Sequence, residues 1–272
     1  MRFATQWFAF EASHFYWLDT LSEAENRQRF GRTTRHHGHN YRVRITYRSS
    51  DSSSPADWQA LEQRVRERIN RELDHRCLNR EHPHFQQNLP TTENLALYLW
   101  GILRTEMGAP VESVEVHESE TLASAYHGEE RPDSTRVVYL TRQYQFSSAH
   151  RLYNPALSEE QNRALYGKCA NPYGHGHDYR LEVSVRGVPD PLTGMVINIT
   201  DLDAIVQREV ITVLDHHYLN EEVPPFDTVV PTTENLVAWI VERLQPQVPA
   251  PAELYRVCLW ETPRSSFEWR LD

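Results

Sequence analysis

Residues 167–187 read GKCANPYGHGHDYRLEVSVRG, and residues 31–49 read GRTTRHHGHNYRVRITYRS. In both, His-Gly-His leads into a run where apolar and polar residues alternate. Tyr41, Val43, Ile45 and Tyr47 are separated by Arg42, Arg44 and Thr46, and Leu181, Val183 and Val185 follow the same period beside Arg180 and Glu182. Period two with β-branched side chains predicts a strand with one wet face at each place. Residues i and i+2 of a strand share a face, so the two imidazoles of each His-Gly-His project to one side and can reach one ion. The glycine between them leaves room for close backbone approach.

Working outward from these stretches, the same residues recur in the same order. His14, His37, His39, Asp74, His75, Thr91, Thr92, Glu93 and Glu118 are answered by His150, His175, His177, Asp215, His216, Thr232, Thr233, Glu234 and Glu261. The separation between matching residues drifts slowly along the chain, as expected of an internal duplication with small insertions. A length of 272 residues suits two domains of ordinary size. The predicted domains are 1–128 and 137–272, joined by a polar linker over 127–136, HGEERPDSTR. RSSDSSSPAD, around residues 49–57, reads as a surface loop where the second copy has GVPDPLTGMVIN, so the copies differ at a hairpin turn.

Trp58, Leu61, Val65, Ile69 and Leu73 recur at helical spacing and predict a helix that ends just before Asp74. Leu202, Ile205, Val206, Val210, Val213 and Leu214 repeat the pattern before Asp215. After Pro90 and Pro231 a Thr can cap a second helix, with Glu93 or Glu234 in its first turn and Leu95, Leu99, Ile102 and Leu103 as its buried stripe. Val114 and Val116 share a strand face with Glu118, as Val257 and Leu259 do with Glu261. Each copy thus reads strand, strand, helix, helix, strand, strand: an α+β plan in which an antiparallel four-stranded sheet carries two helices on one face.

Composition narrows the function classes. A net charge of −10 and a pI near 5.8 argue against a nucleic-acid partner, because phosphate-backbone binders carry a basic face. Three scattered cysteines, Cys77, Cys169 and Cys258, do not make a disulfide framework. A reducing cytoplasm is expected. The first 17 residues, MRFATQWFAFEASHFYW, have neither an apolar signal-peptide stretch nor an unbroken membrane span, so no membrane partner is expected.

Adding His150 to His175 and His177 makes three neutral nitrogen ligands, the set that holds catalytic zinc with a fourth position open. His14, His37 and His39 form a second possible site. Zinc is the first choice for such a triad, although nitrogen ligands alone admit other divalent ions. A cupin-type metal enzyme also uses His-x-His, but that fold lacks the paired helices read here.

The second copy carries FSSAHRL, GKCANPYGHGHDY, LDHHYLN, VPTTENL and CLWETP. With these motifs it resembles the 6-pyruvoyl-tetrahydropterin synthase / 6-carboxytetrahydropterin synthase family over nearly all of residues 137–272. The resemblance implies two tandem tunnelling-fold units. It also implies His150, His175 and His177 as zinc ligands, Cys169 as catalytic base, Asp215 and His216 as its acid-base partners, and Glu261 as the anchor of a pterin ring. Thr232, Thr233 and Glu234 are implied near the pterin, their alternative role being a helix cap. These roles make chemical sense: a Cys beside a cation and Lys168 favours its thiolate, and a carboxylate accepts two parallel hydrogen bonds from a guanidine-like edge.

The first copy matches over residues 3–126 but shows Thr33 or Thr34 where the second has Cys169, so it is expected not to abstract the same proton. Cys77 aligns with Tyr218 and is expected to be a small buried packing residue, as is Cys258. Asn198, where many relatives carry Asp, is expected to have a structural role.

The leading expectation is a zinc-dependent lyase that converts 7,8-dihydroneopterin triphosphate to 6-carboxy-5,6,7,8-tetrahydropterin, on the way to queuosine and other deazapurines. The alternatives are the 6-pyruvoyl product of the biopterin route, through loss of triphosphate, and a pterin- or purine-binding module without turnover. The implied partners are the pterin triphosphate and further copies of the chain, three of which would make a pseudo-hexamer.

Overall fold

The structure, a computed structural model, describes residues 1–49 and 54–272. The middle of the expected loop at 49–57 therefore lies outside the described residues. By its internal contacts the chain divides into two compact units, Met1–Thr141 with Arg186–Thr200, and Arg142–Val185 with Asp201–Asp272.

In the first unit, β1 (Arg2–His14) runs antiparallel to β2 (His37–Ser49), β2 to β4 (Val111–Ser119), and β4 to β5 (Leu122–Glu130), while a two-residue β3 (Arg76–Cys77) lies parallel to the end of β1. The period-two reading holds residue by residue. Tyr41, Val43, Ile45 and Tyr47 are fully buried, and Phe8, Phe10, Val114 and Val116 share their face. Helices α1 (Glu23–Phe30), α2 (Pro55–Glu72), α3 (Leu78–Glu81) and α4 (Thr92–Gly101) complete the unit. α2 begins at a capping box of Ser54 and Asp57 and buries Val65 and Ile69. Thr91 caps α4, its hydroxyl accepting from the Asn94 N–H at 3.2 Å.

The second unit repeats the plan with β6 (Arg136–His150), α5 (Glu159–Tyr166), β7 (His175–Gly187), α6 (Ile199–Val206), α7 (Thr212–Leu214), α8 (Leu219–Glu222), α9 (Thr233–Leu244), β8 (Glu253–Thr262) and β9 (Ser265–Arg270). Its strands follow the order β6, β7, β8, β9. The helix expected before Asp215 is interrupted: α6 passes through a wider turn at Gln207–Ile211 before α7. The stacked pair Phe10–Tyr41, with ring centroids 4.7 Å apart, has its counterpart in Phe146–Tyr179 at 5.0 Å.

Three expectations need correction. The linker is shorter than its composition suggests, since β5 runs to Glu130 and β6 starts at Arg136. Only residues 131–135 form the turn, closed by the Arg131 N–H on the Thr135 carbonyl at 2.8 Å. Strand ends facing water carry the same polar residues as loops, which hid them. Cys77 is half-buried in β3, not enclosed in the core. Finally, the segment Arg186–Thr200, expected to make a hairpin turn, runs from the end of β7 into α6 and belongs by contacts to the first unit. Asn198 has a structural role there, its amide donating to the Arg29 carbonyl at 2.5 Å and its carbonyl accepting from the Thr200 N–H at 3.2 Å.

Candidate active site

The buried face of each sheet ends in histidines. On β2 the row Tyr47, Ile45, Val43, Tyr41 continues into His39 and His37. On β1 the row Phe8, Phe10, Ala12 ends at His14, which pairs directly with His37. Val114 and Val116 lead likewise to Glu118 on β4. Phe146, Ser148 and His150, then Tyr179, His177 and His175, then Val257, Leu259 and Glu261 repeat the arrangement. Strand alternation thus carries three imidazoles and a carboxylate from a hydrophobic face to the edge of the core.

The imidazoles converge. In each triad, His14, His37 and His39 or His150, His175 and His177, the ligating atoms all lie within 4.8 Å of one another. The Nδ1 atoms of His14 and His150 hydrogen-bond the carbonyls of Pro90 and Pro231 at 3.1 and 2.8 Å, which turns each Nε2 towards the centre as a lone-pair donor. Nε2 of His39, His150 and His177 and Nδ1 of His175 are buried without a hydrogen-bond partner. Burial, reinforced by the neighbouring histidines, lowers His14 to about 3 and His39 to about 4. Burial also takes His150 to about 4 and lowers His175. Neutral nitrogens with unused lone pairs, aimed at one point, fit a divalent metal ion. Glu118 stands 3.7 and 3.5 Å from His14 and His39, and Glu261 stands 3.5 and 3.6 Å from His150 and His177.

The Asp-His pairs stand beside the first strands. Asp215 accepts from the Ser147 N–H at 2.9 Å and sits 3.0 Å from Nδ1 of His216, just as Asp74 accepts from the Glu11 N–H at 2.8 Å and meets His75 at 2.8 Å. Those backbone hydrogen bonds, then the histidines, hold both carboxyls below the usual range, and Asp74 raises His75. His75 and His216 have φ of 56° and 60°, left-handed geometry that a non-glycine residue adopts at some cost. Each returns its N–H to the first strand, on Glu11 and Ser147, at 2.6 Å. His216 lines an open cavity of about 570 Å3 together with His177, Asp178, Tyr218 and Glu222.

Cys169 lies in a 3-10 turn, Gly167–Ala170, that follows α5. Its carbonyl accepts from the Leu152 N–H at 2.9 Å, so the thiol-bearing turn is tied to the chain two residues beyond His150. In the first unit the Tyr16 N–H reaches the Thr33 carbonyl at the same distance, and Gly31 and Gly167 share φ near 56°. Of the two threonines, Thr33 therefore stands at the Cys169 position. Cys77 matches Tyr218, since both N–H groups meet a glutamate, Glu81 or Glu222, at 2.6 Å. Cys77 lines a cavity of about 460 Å3 with His39 and His75. Cys258 is buried, and its burial pushes the thiol up.

The two Thr-Thr-Glu motifs differ in surroundings. Thr91, Thr92 and Glu93 are buried: Thr91 donates to the Gly194 carbonyl at 2.9 Å, and Glu93 accepts from the Val196 N–H at 3.1 Å. Burial raises the Glu93 carboxyl. Thr232 caps α9, Thr233 is buried and Glu234 is exposed. The sequence reading missed Tyr16, which is buried with its ring edge-on to His14, centroids 5.1 Å apart. Its signal was present in the pairing of Tyr16 with Leu152.

Comparison with known proteins agrees with this geometry. The 6-pyruvoyl tetrahydropterin synthase family model matches residues 4–129 and again residues 139–271. A 6-pyruvoyl tetrahydrobiopterin synthase of Poecilia reticulata is 45% identical over 139 residues, covering 51% of this chain and 94% of the relative. The human protein of that name is 46% identical over 123 residues, covering 45% of this chain and 84% of the relative. A solved structure of the Caenorhabditis elegans synthase, 36% identical, covers 51% of this chain and 98% of its own, with a TM-score of 0.48. These relatives overturn the expectation of the 6-carboxy product and the queuosine route. The motifs used to reach it are shared by both product types. Two tunnelling-fold units in tandem, each with a histidine triad able to hold a metal ion, place the chain in the 6-pyruvoyl tetrahydropterin synthase family, as a pterin lyase.

Proposed function

We propose that the second repeat is a 6-pyruvoyl-tetrahydropterin synthase, acting on 7,8-dihydroneopterin triphosphate with zinc held by His150, His175 and His177. The observation that carries this reading is the convergence of three partner-free imidazole nitrogens next to the turn that bears Cys169. The relatives named for the pyruvoyl product support the choice of reaction.

Bound zinc supplies a Lewis acid that polarises the side-chain oxygens and acidifies the adjoining C–H. Cys169, as thiolate, takes a proton from that carbon. His216, fixed in orientation by Asp215, gives or takes the second proton. Glu261 accepts the amino and ring N–H groups of the pterin edge in parallel. Triphosphate leaves with the electron pair of its C–O bond, and the hydrogens lost from the side chain return to the ring, so no outside oxidant or reductant is needed. Thr232, Thr233 and Glu234 complete the pterin pocket.

Three chains assemble into a pseudo-hexamer in this reading. The exposed Glu234 supports it, because its counterpart Glu93 is buried under the loop after β7. No helix among the described residues is long and apolar enough to cross a membrane. The cytoplasm is the proposed compartment, on the strength of three cysteines that are all free.

Incubating the zinc-loaded chain with dihydroneopterin triphosphate and identifying products by mass tests the proposal. Inorganic triphosphate and a pyruvoyl pterin are expected; release of a two-carbon fragment, or no turnover, overturns it. Cys169→Ala should abolish turnover with metal content nearly unchanged, and Thr33→Ala should alter neither.

A further inference from the structure

We propose that Lys168 is a substrate-binding residue whose ammonium holds the triphosphate of the pterin, from the same turn that brings Cys169 to the second triad. The inference deepens the pterin reading of the second repeat and rests on it for the class of ligand concerned.

Of the 28 lysines and arginines in the chain, Lys168 is the one lysine. Either residue serves as an exposed cation on a protein surface, so a chain that uses arginine everywhere else singles out the place where it does not. That place is the residue before Cys169. The first repeat supplies the comparison. The Asn171 N–H reaches the Lys168 carbonyl at 3.2 Å as the Arg35 N–H reaches the Arg32 carbonyl at 3.1 Å, so Arg32 holds the same position in the copy without the thiol. A guanidinium is a rigid planar fork. An ammonium is a compact charge on a flexible stem, able to turn its donors to oxygens of more than one phosphate.

The surroundings call for such a cation. Asp178 and Glu222 line the cavity beside His177 and His216, Glu261 stands against the triad, and the chain as a whole carries a net charge of −10. A triphosphate is repelled there unless positive charge from the protein meets it. Arg151 lies close to the same turn but is committed, with Nε on the Ala170 carbonyl at 3.0 Å, Nη2 on Glu159 at 2.7 Å and its guanidinium 4.1 Å over the Tyr153 ring. Lys168 is exposed, and none of the described residues takes its ammonium. The bonds from Leu152 to the Cys169 carbonyl and from Arg151 to the Ala170 carbonyl tie its turn to the chain just beyond His150. Burial first, and His177 and Lys168 after it, lower His175, so the charge of Lys168 is felt at the triad.

Neopterin and neopterin triphosphate, oxidised pterins without and with the phosphates, serve as probes. Calorimetric titration of the zinc-loaded chain should find the triphosphate bound more tightly than neopterin. Lys168→Gln should lower that preference about tenfold or more and leave the affinity for neopterin unchanged. Arg32→Gln should alter neither affinity. A Lys168→Gln chain that keeps the preference overturns the proposal, and so does one that loses neopterin to the same degree, which would mark a structural role. A lysine serving the thiol alone would shift the pH dependence of Cys169 alkylation and leave the preference intact, which overturns it as well. Turnover of dihydroneopterin triphosphate by the unsubstituted chain judges the pterin reading separately: a chain that turns it over while Lys168→Gln keeps the preference loses only this assignment.

Discussion

Gly174 shows how narrow the tolerance is around the second triad. It has φ of 70°, and a Cβ there would sit 2.9 Å from the His150 carbonyl oxygen and from the Tyr218 ring. Gly174→Ala therefore faces both an unfavourable backbone region and a clash beside a metal ligand. A loss of about 1–3 kcal/mol is expected, read as a lower melting temperature, with weaker zinc retention on dialysis against a chelator. A variant as stable and as tightly metallated as the parent would contradict the geometry. In the first repeat the same position is His36, in a shorter turn, so only one copy depends on glycine here. At this scale the sequence was most legible for the triads, because period two leaves two imidazoles two residues apart no choice but one face. It was least legible for Tyr16, which sits in the aromatic run Phe15, Tyr16, Trp17 and reads as ordinary core. Only the edge-on approach of its ring to His14 shows that it stands beside the triad.

Among the elements, α5 matters most for the chemistry because it hands the chain to the Cys169 turn. Ser158 and Gln161 form a capping box at its start, and Gly167 stops it at φ 57° with its N–H on the Arg163 carbonyl. Eight residues make a helix too short to stand by propensity alone, so the cap carries a large share of its stability. Ser158→Ala should cost about 1 kcal/mol in chemical denaturation. It should also lower turnover more than zinc content, since in the proposed mechanism the turn carries the base and not the ligands. Unchanged turnover in a measurably destabilised chain would show the thiol to be positioned by other contacts. The helices and strands were legible from their periods, and the departures have physical causes. β3 is two residues long, below the reach of any pattern, and the ends of β5 and β6 are polar because they face water. The interrupted helix before Asp215 keeps its apolar spacing throughout, so nothing in the pattern marks the wider turn at Gln207–Ile211.

For the molecule as a whole, the proposed reading is an assembly of three chains with unequal halves. Native mass measurement or sedimentation of the purified chain should find three chains together, and a stable monomer at micromolar concentration would refute the pseudo-hexamer. Metal analysis of the same sample should find two zinc ions per chain, falling to one with His177→Ala or with His39→Ala, while only the first substitution ends turnover. The tandem repeat was the part of the architecture most open to reading, because the same residues return in order. The assignment of Arg186–Thr200 to the first unit was not, since it depends on where a loop folds and not on what it is made of. That assignment bears on the history of the chain. Because the loop after β7 packs on Glu93 of the first repeat, its Val196 N–H meeting that carboxylate, shedding the first repeat would leave the loop with nothing to pack on. The fusion thus acts as a ratchet: whatever becomes of the chemistry on one side, the scaffold that carries it can no longer be discarded.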